Sequence, residues 1–482
     1  MIETVLTETM AVPPPEPPRP PAAGPGDWLR RNLFRSPFDA VVTIVAGAVV
    51  AYVVYRLARY VFVTGRWEII RVNLKLFMVG RYPNDQLWRI SVALVVIAFA
   101  GGVVAGHVGH RRMVTGQIVD ERARPWWRTG LDLAVRLWPL ILGVLVLLLL
   151  AGTIGPWLLV LAMIVGAVAG RLVGGRLPVR ATPWLIVVFV IGGVALVWFL
   201  SQPASWDEWG GLMLNVFLAV ASITLCFPLG VLLALGRAAG RNAGSTFNSV
   251  FSAVVLALMP IALYLGVAPD LVLVSWPTLI ALVLALLLAF AGWRLGHRSS
   301  LPLVRAISVG YIELFRGVPL FVLLLLSYLA LGFFLPTQVD SPSLVVRAIV
   351  ALTLFTAAYV AEIVRGGLQS LPRGQTEAGE ALGLSPVKVT RLIVLPQALR
   401  NVIPGLVGQF ISLFKDTTLA AAAMSFLDVF QVGGAVTSQG EFRGLQLTAE
   451  VFTFVMFLFW VGCITMSRES QRLERRLGVG TR

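Results

Sequence analysis

The chain has 482 residues, of which 57% are hydrophobic and only 13% charged, and its mean hydropathy is +0.85. A soluble chain carries about twice that charged fraction, so composition excludes a soluble domain of this length. The net charge of +15 does not point to nucleic acid, because Lys and Arg sit in short segments between apolar runs, where they set membrane topology.

Apolar runs of about 17–25 residues recur along the chain, the length that crosses a bilayer. The fold class they predict is all-α, a polytopic transmembrane helical protein. The runs are continuous rather than alternating, which disfavours a β-barrel.

Residues 1–37 lack the apolar stretch of a signal peptide. The tract from Pro13 to Pro21 reads as an extended, disordered tail. Twelve spans are predicted, near 38–60, 90–107, 137–154, 156–173, 183–201, 212–236, 248–268, 277–296, 317–336, 344–364, 403–425 and 448–467. Several boundaries carry breakers, among them Gly155-Pro156, Thr182-Pro183, Trp276-Pro277 and Gly317-Val318-Pro319. Cys226 and Cys463 fall inside apolar runs and read as packing residues. His107, His110 and His297 stand at span ends or in loops. No disulfide framework or metal-ligand spacing is present, and no catalytic cluster is expected.

Alternating the spans from a cytoplasmic N-terminus places 29 of the 39 basic residues in inside segments. Both termini, including the basic tail 468–482, then fall on the cytoplasmic side. One outside loop, 64–89, breaks the rule with Arg66, Arg71, Lys75, Arg81 and Arg89. Trp67, Ile70, Leu74 and Phe77 recur there at helical spacing, which predicts an amphipathic segment lying on the outer surface.

The stretch Pro372–Pro404 is a polar island on the cytoplasmic side. Thr376 is expected to cap a short helix with Glu377 and Glu380 in its first turn, and Gly383 to stop it. Ser385 and Pro386 then start a second helix. Val387, Leu392 and Leu395 give that helix an apolar side, Lys388 and Arg391 a basic one, and Pro396 bends or ends it. An amphipathic helix presented this way suits a groove on a soluble partner.

Glu377-Ala378-Gly379, Gly383 and Val394-Leu395-Pro396 resemble the EAA loop of permease subunits of ABC importers. The sequence departs at Gly379, where that family usually has Ala, and a Gly weakens a helix by up to about 1 kcal/mol. The runs Tyr311–Leu320, Ala358–Gln369 and Phe414–Leu419 resemble polar amino acid permeases in the same order, over about 300–425. The N-terminal extra spans and the tail from Ser467 to Arg475 are similar to the M-type permease of the general L-amino acid importer. Residues 241–297 depart from that pattern and read as an inserted pair of spans.

The resemblance implies a division of the chain. Residues 1–37 form the Pro-rich tail and 38–201 the accessory spans. Residues 202–240 hold the first core helix, 241–297 the insertion and 298–467 the rest of a five-helix permease core, with its coupling loop at 366–403; the basic tail follows. The resemblance also implies a function: an ATP-driven importer subunit in a bacterial inner membrane, forming the path for L-amino acids. The implied partners are a dimeric cytoplasmic ABC ATPase, a second permease subunit in a heterodimer, a periplasmic amino acid binding protein and membrane lipid. ATP would be used through the ATPase and no cofactor bound here. Indeed the only lysines, Lys75, Lys388 and Lys415, do not follow Gly, so no Walker A lysine exists. The implied coupling residues are Glu377, Ala378, Gly379, Gly383, Leu395 and Pro396.

Lys415 and Asp416 are the sharpest intramembrane charges. From a span start at Pro404 they lie roughly 16 Å deep, and buried charges at that depth face a cavity or each other. Gln409, Ser412 and Asp416 share one helical face. Gln409, Ser412, Lys415, Asp416 and Thr417 are therefore candidates for the substrate path, and a structural charge pair is the competing reading. Glu313, Arg316, Glu362 and Arg365 lie near span ends and read as snorkelling or ion-paired residues. Asn215 and Thr224 read as interhelical hydrogen-bonding residues. The same machine carrying another polar solute is the nearest alternative. A secondary transporter would show internal repeats and interrupted helices, and a membrane enzyme would cluster His, Asp or Cys inside spans.

Overall fold

The computed structural model describes residues 32–114, 126–202, 204–206, 208–238, 303–330 and 342–478, with single positions 24, 26, 29 and 287. The Pro-rich tract and the inserted spans at 248–268 and 277–296 lie outside the described residues, apart from Leu287. The chain divides into two units, residues 1–66 and Trp67–Arg482.

The first unit contains α1 (Pro37–Arg59). Ser36 caps it by accepting from the Asp39 N–H at 3.1 Å, and Pro37 occupies its first turn, where the missing N–H costs nothing. A π turn over Tyr60–Thr64 closes it.

The second unit begins with two short helices, α2 (Glu68–Val72) and α3 (Leu74–Val79). Four long accessory helices follow: α4 (Leu87–Val114), α5 (Trp126–Ala151), α6 (Ile154–Arg176) and α7 (Thr182–Ser201). Then come α8 (Gly211–Ala238), α9 (Leu303–Gly317), α10 (Leu320–Leu329) and α11 (Leu344–Gln369). The chain ends in α12 (Gly374–Ala381), α13 (Pro386–Val389), α14 (Leu395–Met424), α15 (Val429–Thr437) and α16 (Thr448–Leu477). Among the described residues eight helices are long and apolar enough to cross a membrane, nine if the bent pair α9–α10 counts as one. The expected twelve included the two spans outside the described residues, and also α14, which carries Arg400, Lys415 and Asp416. The expected span 317–336 begins at a 99° bend between α9 and α10, because Pro319 cannot continue the preceding helix and instead caps the next.

The core is built around α11, which packs on α8, α9, α10 and α14. Ala348, Ala351, Ala357, Ala358 and Ala361 are buried along it. Small residues let the backbones approach where hydrocarbon gives no hydrophobic drive. At Gly230 of α8 an added Cβ would meet Val360 Cγ1 at 2.5 Å. Leu214, Leu218, Ile312, Leu324, Leu352 and Leu413 fill the remaining space.

The accessory helices are held in two ways. α4 and α6 meet backbone to backbone: a Cβ at Gly102, Gly106, Gly170 or Gly174 would overlap a carbonyl of the partner helix. α5 instead joins the last core helix. Val461 of α16 fills the space above Gly143, Trp138 lies 5.9 Å from Trp460, and Arg136 pairs with Glu469.

The segment expected to lie on the outer surface is a core layer instead. Ile69, Ile70 and Phe77 are fully buried against Val429, Val432, Val451 and Phe454. The helical spacing was real, but protein rather than lipid covers its apolar face. Glycines make this junction possible. Gly80 and Gly211 adopt φ of +66° and +56°, where a side chain is strained, and a Cβ on either would overlap the facing backbone. Gly211 N donates to Leu427 O at 2.9 Å, so α3, α8 and the α14–α15 connection meet at one point.

Candidate functional site

The coupling loop folds as helix, turn, helix. α12 starts earlier than expected, with Arg373 as its cap and Thr376 inside it, because Gln375 and Thr376 already donate back to Pro372 and Arg373. Gly383 ends the turn at φ +75° with its N–H on Glu380 O at 2.9 Å. Ser385 takes the N-cap position of α13 without a side-chain hydrogen bond, and Pro386 starts the helix.

Pro396 does not end the second helix. A π turn over Thr390–Val394 lets Leu395 N–H reach Thr390 O, so Pro396 enters in the first turn of α14 and the helical run continues from Pro386 to Met424. The added residue of a π turn shifts the register where the proline lacks a donor.

Gly379 does not loosen the loop. It is buried, and a Cβ there would stand 2.9 Å from Val389 Cγ2 and 3.1 Å from Ile393 Cδ1. The glycine lets α12 lie directly on Val389, the side chain that closes the loop's interior. The expected apolar side shifts accordingly: Leu392 is 63% exposed and Leu382 79% exposed. Glu377, Ala378, Glu380, Lys388, Arg391 and Pro396 are exposed as well, while Leu395 is half-buried.

The candidate path residues divide. Lys415 is exposed, and Gln409, Ser412 and Asp416 are half-buried on α14. Thr417 is fully buried and belongs to a different cluster. It accepts from Asn215 Nδ2 at 2.9 Å and donates to Phe414 O at 2.7 Å. Asn215 also donates to Asp428 Oδ2 at 3.1 Å and accepts from the Val429 N–H at 3.1 Å. Asp428 Oδ1 caps α15 by accepting from Gln431 N at 2.7 Å. Burial pushes the Asp428 carboxyl up to about 6, against these donors. The signal that could have found Asp428 is its place before an apolar run with Gln three residues on, a helix-start pattern. Thr224, by contrast, is exposed and donates to Val220 O within its own helix.

At the other end of α8 the charged residues form one cluster. Arg237 Nη1 donates to Glu362 Oε1 at 2.5 Å and to Glu313 Oε1 at 3.2 Å. Arg365 holds Glu362 Oε2 through Nη2 at 2.7 Å and Nε at 3.0 Å. Arg316 stands 3.6 Å from the same oxygen and over the Tyr359 ring at 5.8 Å. Arg237 closes this cluster from the last turn of α8.

A bundle of apolar helices around an alanine-lined centre, with an exposed helix-turn-helix inserted before α14, is the architecture of a multi-pass membrane protein. The family described as "Binding-protein-dependent transport system inner membrane component" matches residues 289–479. The chain is 30% identical to the glutamate/glutamine/aspartate/asparagine transport system permease protein BztC of Rhodobacter capsulatus, with 98% of each chain covered. It is 29% identical to the inner membrane amino-acid ABC transporter permease protein YhdY of Escherichia coli K12, over 94% of this chain and 93% of that one. A stretch covering 18% of this chain and 22% of its relative is 52% identical to the general L-amino acid transport system permease protein AapQ of Rhizobium johnstonii. The chain belongs to the amino-acid ABC transporter permease family and is a multi-pass inner-membrane protein.

Proposed function

We propose that this permease forms one half of the path by which L-amino acids enter the cell. A separate ABC ATPase dimer supplies the ATP chemistry, a second permease the other half of the path, and a periplasmic binding protein the substrate. The acidic and amide amino acids named for BztC are the first candidates.

The observation that carries this reading is the coupling loop. Leu382 and Leu392 stand in solvent on a helix-turn-helix closed from within by Gly379 and Val389. Exposed leucines on a rigid scaffold ringed by Glu377, Glu380, Lys388 and Arg391 suit a soluble partner. Those partner contacts would move α14 directly, since α13 runs into it without a break.

The exposed stripe of α14 supports the path. Asn401, Gly405, Gly408 and Lys415 recur along it. A charge at membrane depth that its own chain leaves uncovered calls for water or another protein beside it. We assign Gln409, Ser412, Lys415 and Asp416 to a face that meets the second permease and the substrate. Thr417 belongs to the packing behind that face. His107 meets Thr182 at 3.0 Å and Arg89 meets Phe199 O at 2.9 Å, so α4 and α7 run antiparallel as the alternation requires, and the basic segments assign both termini to the cytoplasm.

Purification from native membranes tests the reading. The expected result is recovery of an ATPase and a second permease. Leu382→Asp with Leu392→Asp should release the ATPase and retain the permease. Recovery of the chain alone as an active proton-coupled carrier overturns it.

A further inference from the structure

We propose that Glu362 is a coupling latch: a positioning residue whose carboxylate holds together the loop-side ends of three core helices and ties them to the coupling loop. The proposal rests on the ATP-coupled reading above.

The geometry is specific. One carboxylate, with its side chain 14% exposed, receives Arg237 from α8, Arg316 from α9 and Arg365 from its own helix. Each of its oxygens is engaged by a different helix neighbour: Oε1 by Arg237, Oε2 by Arg365 and Arg316. Glu313 adds a second, more exposed acceptor for Arg237 at 3.2 Å. Three guanidinium groups thus converge on two carboxylates, and the cluster carries one surplus positive charge. Like charges at this spacing repel. Without the Glu362 charge the three arginines face one exposed Glu313, and the helix ends are pushed apart.

The cluster is also wired to the loop. Arg365 Nη1 donates to Gln369 Oε1 at 2.8 Å in the last turn of α11. The next residue, Ser370, accepts from Asn401 Nδ2 of α14 at 3.3 Å. Gln397 of α14 in turn reaches Gln375 of α12 at 3.5 Å. A movement of α12 therefore has a short polar route to α11 and to the arginines of α8 and α9. The bend at Gly317–Pro319 leaves α9 a separate rod from α10, so the latch ties the end of α9 to its neighbours, beyond the Tyr311 hydroxyl that donates to Leu354 O of α11 at 2.7 Å.

A structural ion pair and a latch differ in one readout. A purely structural pair sets how much complex folds, and its loss lowers uptake and ATP hydrolysis in parallel. A latch sets how much substrate moves for each ATP hydrolysed. The experiment uses the complete transporter, purified with its partners from native membranes and placed in proteoliposomes. Uptake of a radiolabelled mixture of L-amino acids is measured against ATP hydrolysis.

Glu362→Gln keeps the shape but removes the charge and turns one acceptor oxygen into an NH2 donor. Its uptake per ATP should fall at least fivefold, whatever the yield of complex, and Glu362→Asp should recover a large part of that loss. An unchanged ratio in Glu362→Gln overturns the proposal, as does a Glu362→Asp variant as uncoupled as Glu362→Gln. If Glu362→Gln does not assemble, Arg316→Gln, which removes the longest of the contacts, should lower the ratio about twofold, and an unchanged ratio there also overturns it. Wild-type complex without ATP-dependent uptake overturns the ATP-coupled reading itself, an outcome distinct from a coupled wild type with an equally coupled variant.

Discussion

The two ends of α8 are held by opposite chemistry. At its start, Asn215 sits in a cluster with Thr417 and Asp428, all fully buried, beside glycines in direct backbone contact. At its finish, Arg237 enters a partly exposed group of ions that shares one carboxylate among three arginines. The first arrangement has one solution, since every donor has a fixed acceptor and no side chain has room to move. The second can exchange partners, because Glu362 Oε2 is shared by Arg365 and Arg316, and Arg237 by Glu362 and Glu313. A helix fixed at one end and ionically tied at the other is suited to pivot.

The largest expected effect attacks the fixed end. Gly211→Val puts a branched side chain at φ +56° against the Phe77 carbonyl. Strain and overlap together should cost roughly 3 kcal/mol or more, seen as loss of monodisperse protein in detergent. Gly374→Ala in α12, where nothing lies within 4 Å, should be neutral or stabilising by about 0.5–1 kcal/mol. Equal tolerance at both sites would erase the contrast.

Asn215→Leu comes next. It strips Asp428 Oδ2 and Thr417 of their buried donor, a loss of about 1–3 kcal/mol, measured as a drop in thermal midpoint. The same cluster sets a pH dependence. Burial raises Asp428 from its ordinary 3.8 to about 6, so the folded state favours the neutral carboxyl. That contribution is complete below the ordinary value and is lost as pH rises through about 6. The wild-type midpoint should therefore fall between pH 4 and pH 7 relative to Asp428→Asn, and parallel curves would show that Asp428 does not titrate there.

The smallest effect lies in the coupling loop. Gly379→Ala gains helix propensity, yet its methyl meets Val389 Cγ2 at 2.9 Å. The two should nearly cancel, within about 1 kcal/mol. Adding Val389→Ala should not rescue coupling further unless the side chains fail to give way. A large loss of ATPase coupling in Gly379→Ala alone, restored by Val389→Ala, would show a tighter loop than its packing implies.

Much of this was readable along the chain. Gly383 and Pro386 mark the loop's turn because each removes a conformational choice locally. Lys415 stands out because an isolated charge in an apolar run has few explanations. What escaped depended on the surroundings. The spacing of Trp67, Ile70, Leu74 and Phe77 gave a helical face but not its cover, which proved to be α15 and α16 rather than lipid. Thr417 follows Asp416 in sequence, yet a 100° step on the helix takes it from the open face into the core. Pro396 reads as a stop, and only the π turn before it shows how the helix carries on. Asn215 and Asp428 are more than two hundred residues apart, and no local pattern joins them.

The pivot is tested most directly by distances measured with paired spin labels in the complete transporter. One pair replaces Ala238 of α8 and Gln375 at the loop end, the other Val216 of α8 and Glu441 at the opposite end, all four exposed. Trapping the ATP-bound state should change the first distance by several ångströms and leave the second within about 1 Å, as a tightly packed junction requires. A shift of equal size at both ends, or only at the glycine junction, would contradict it.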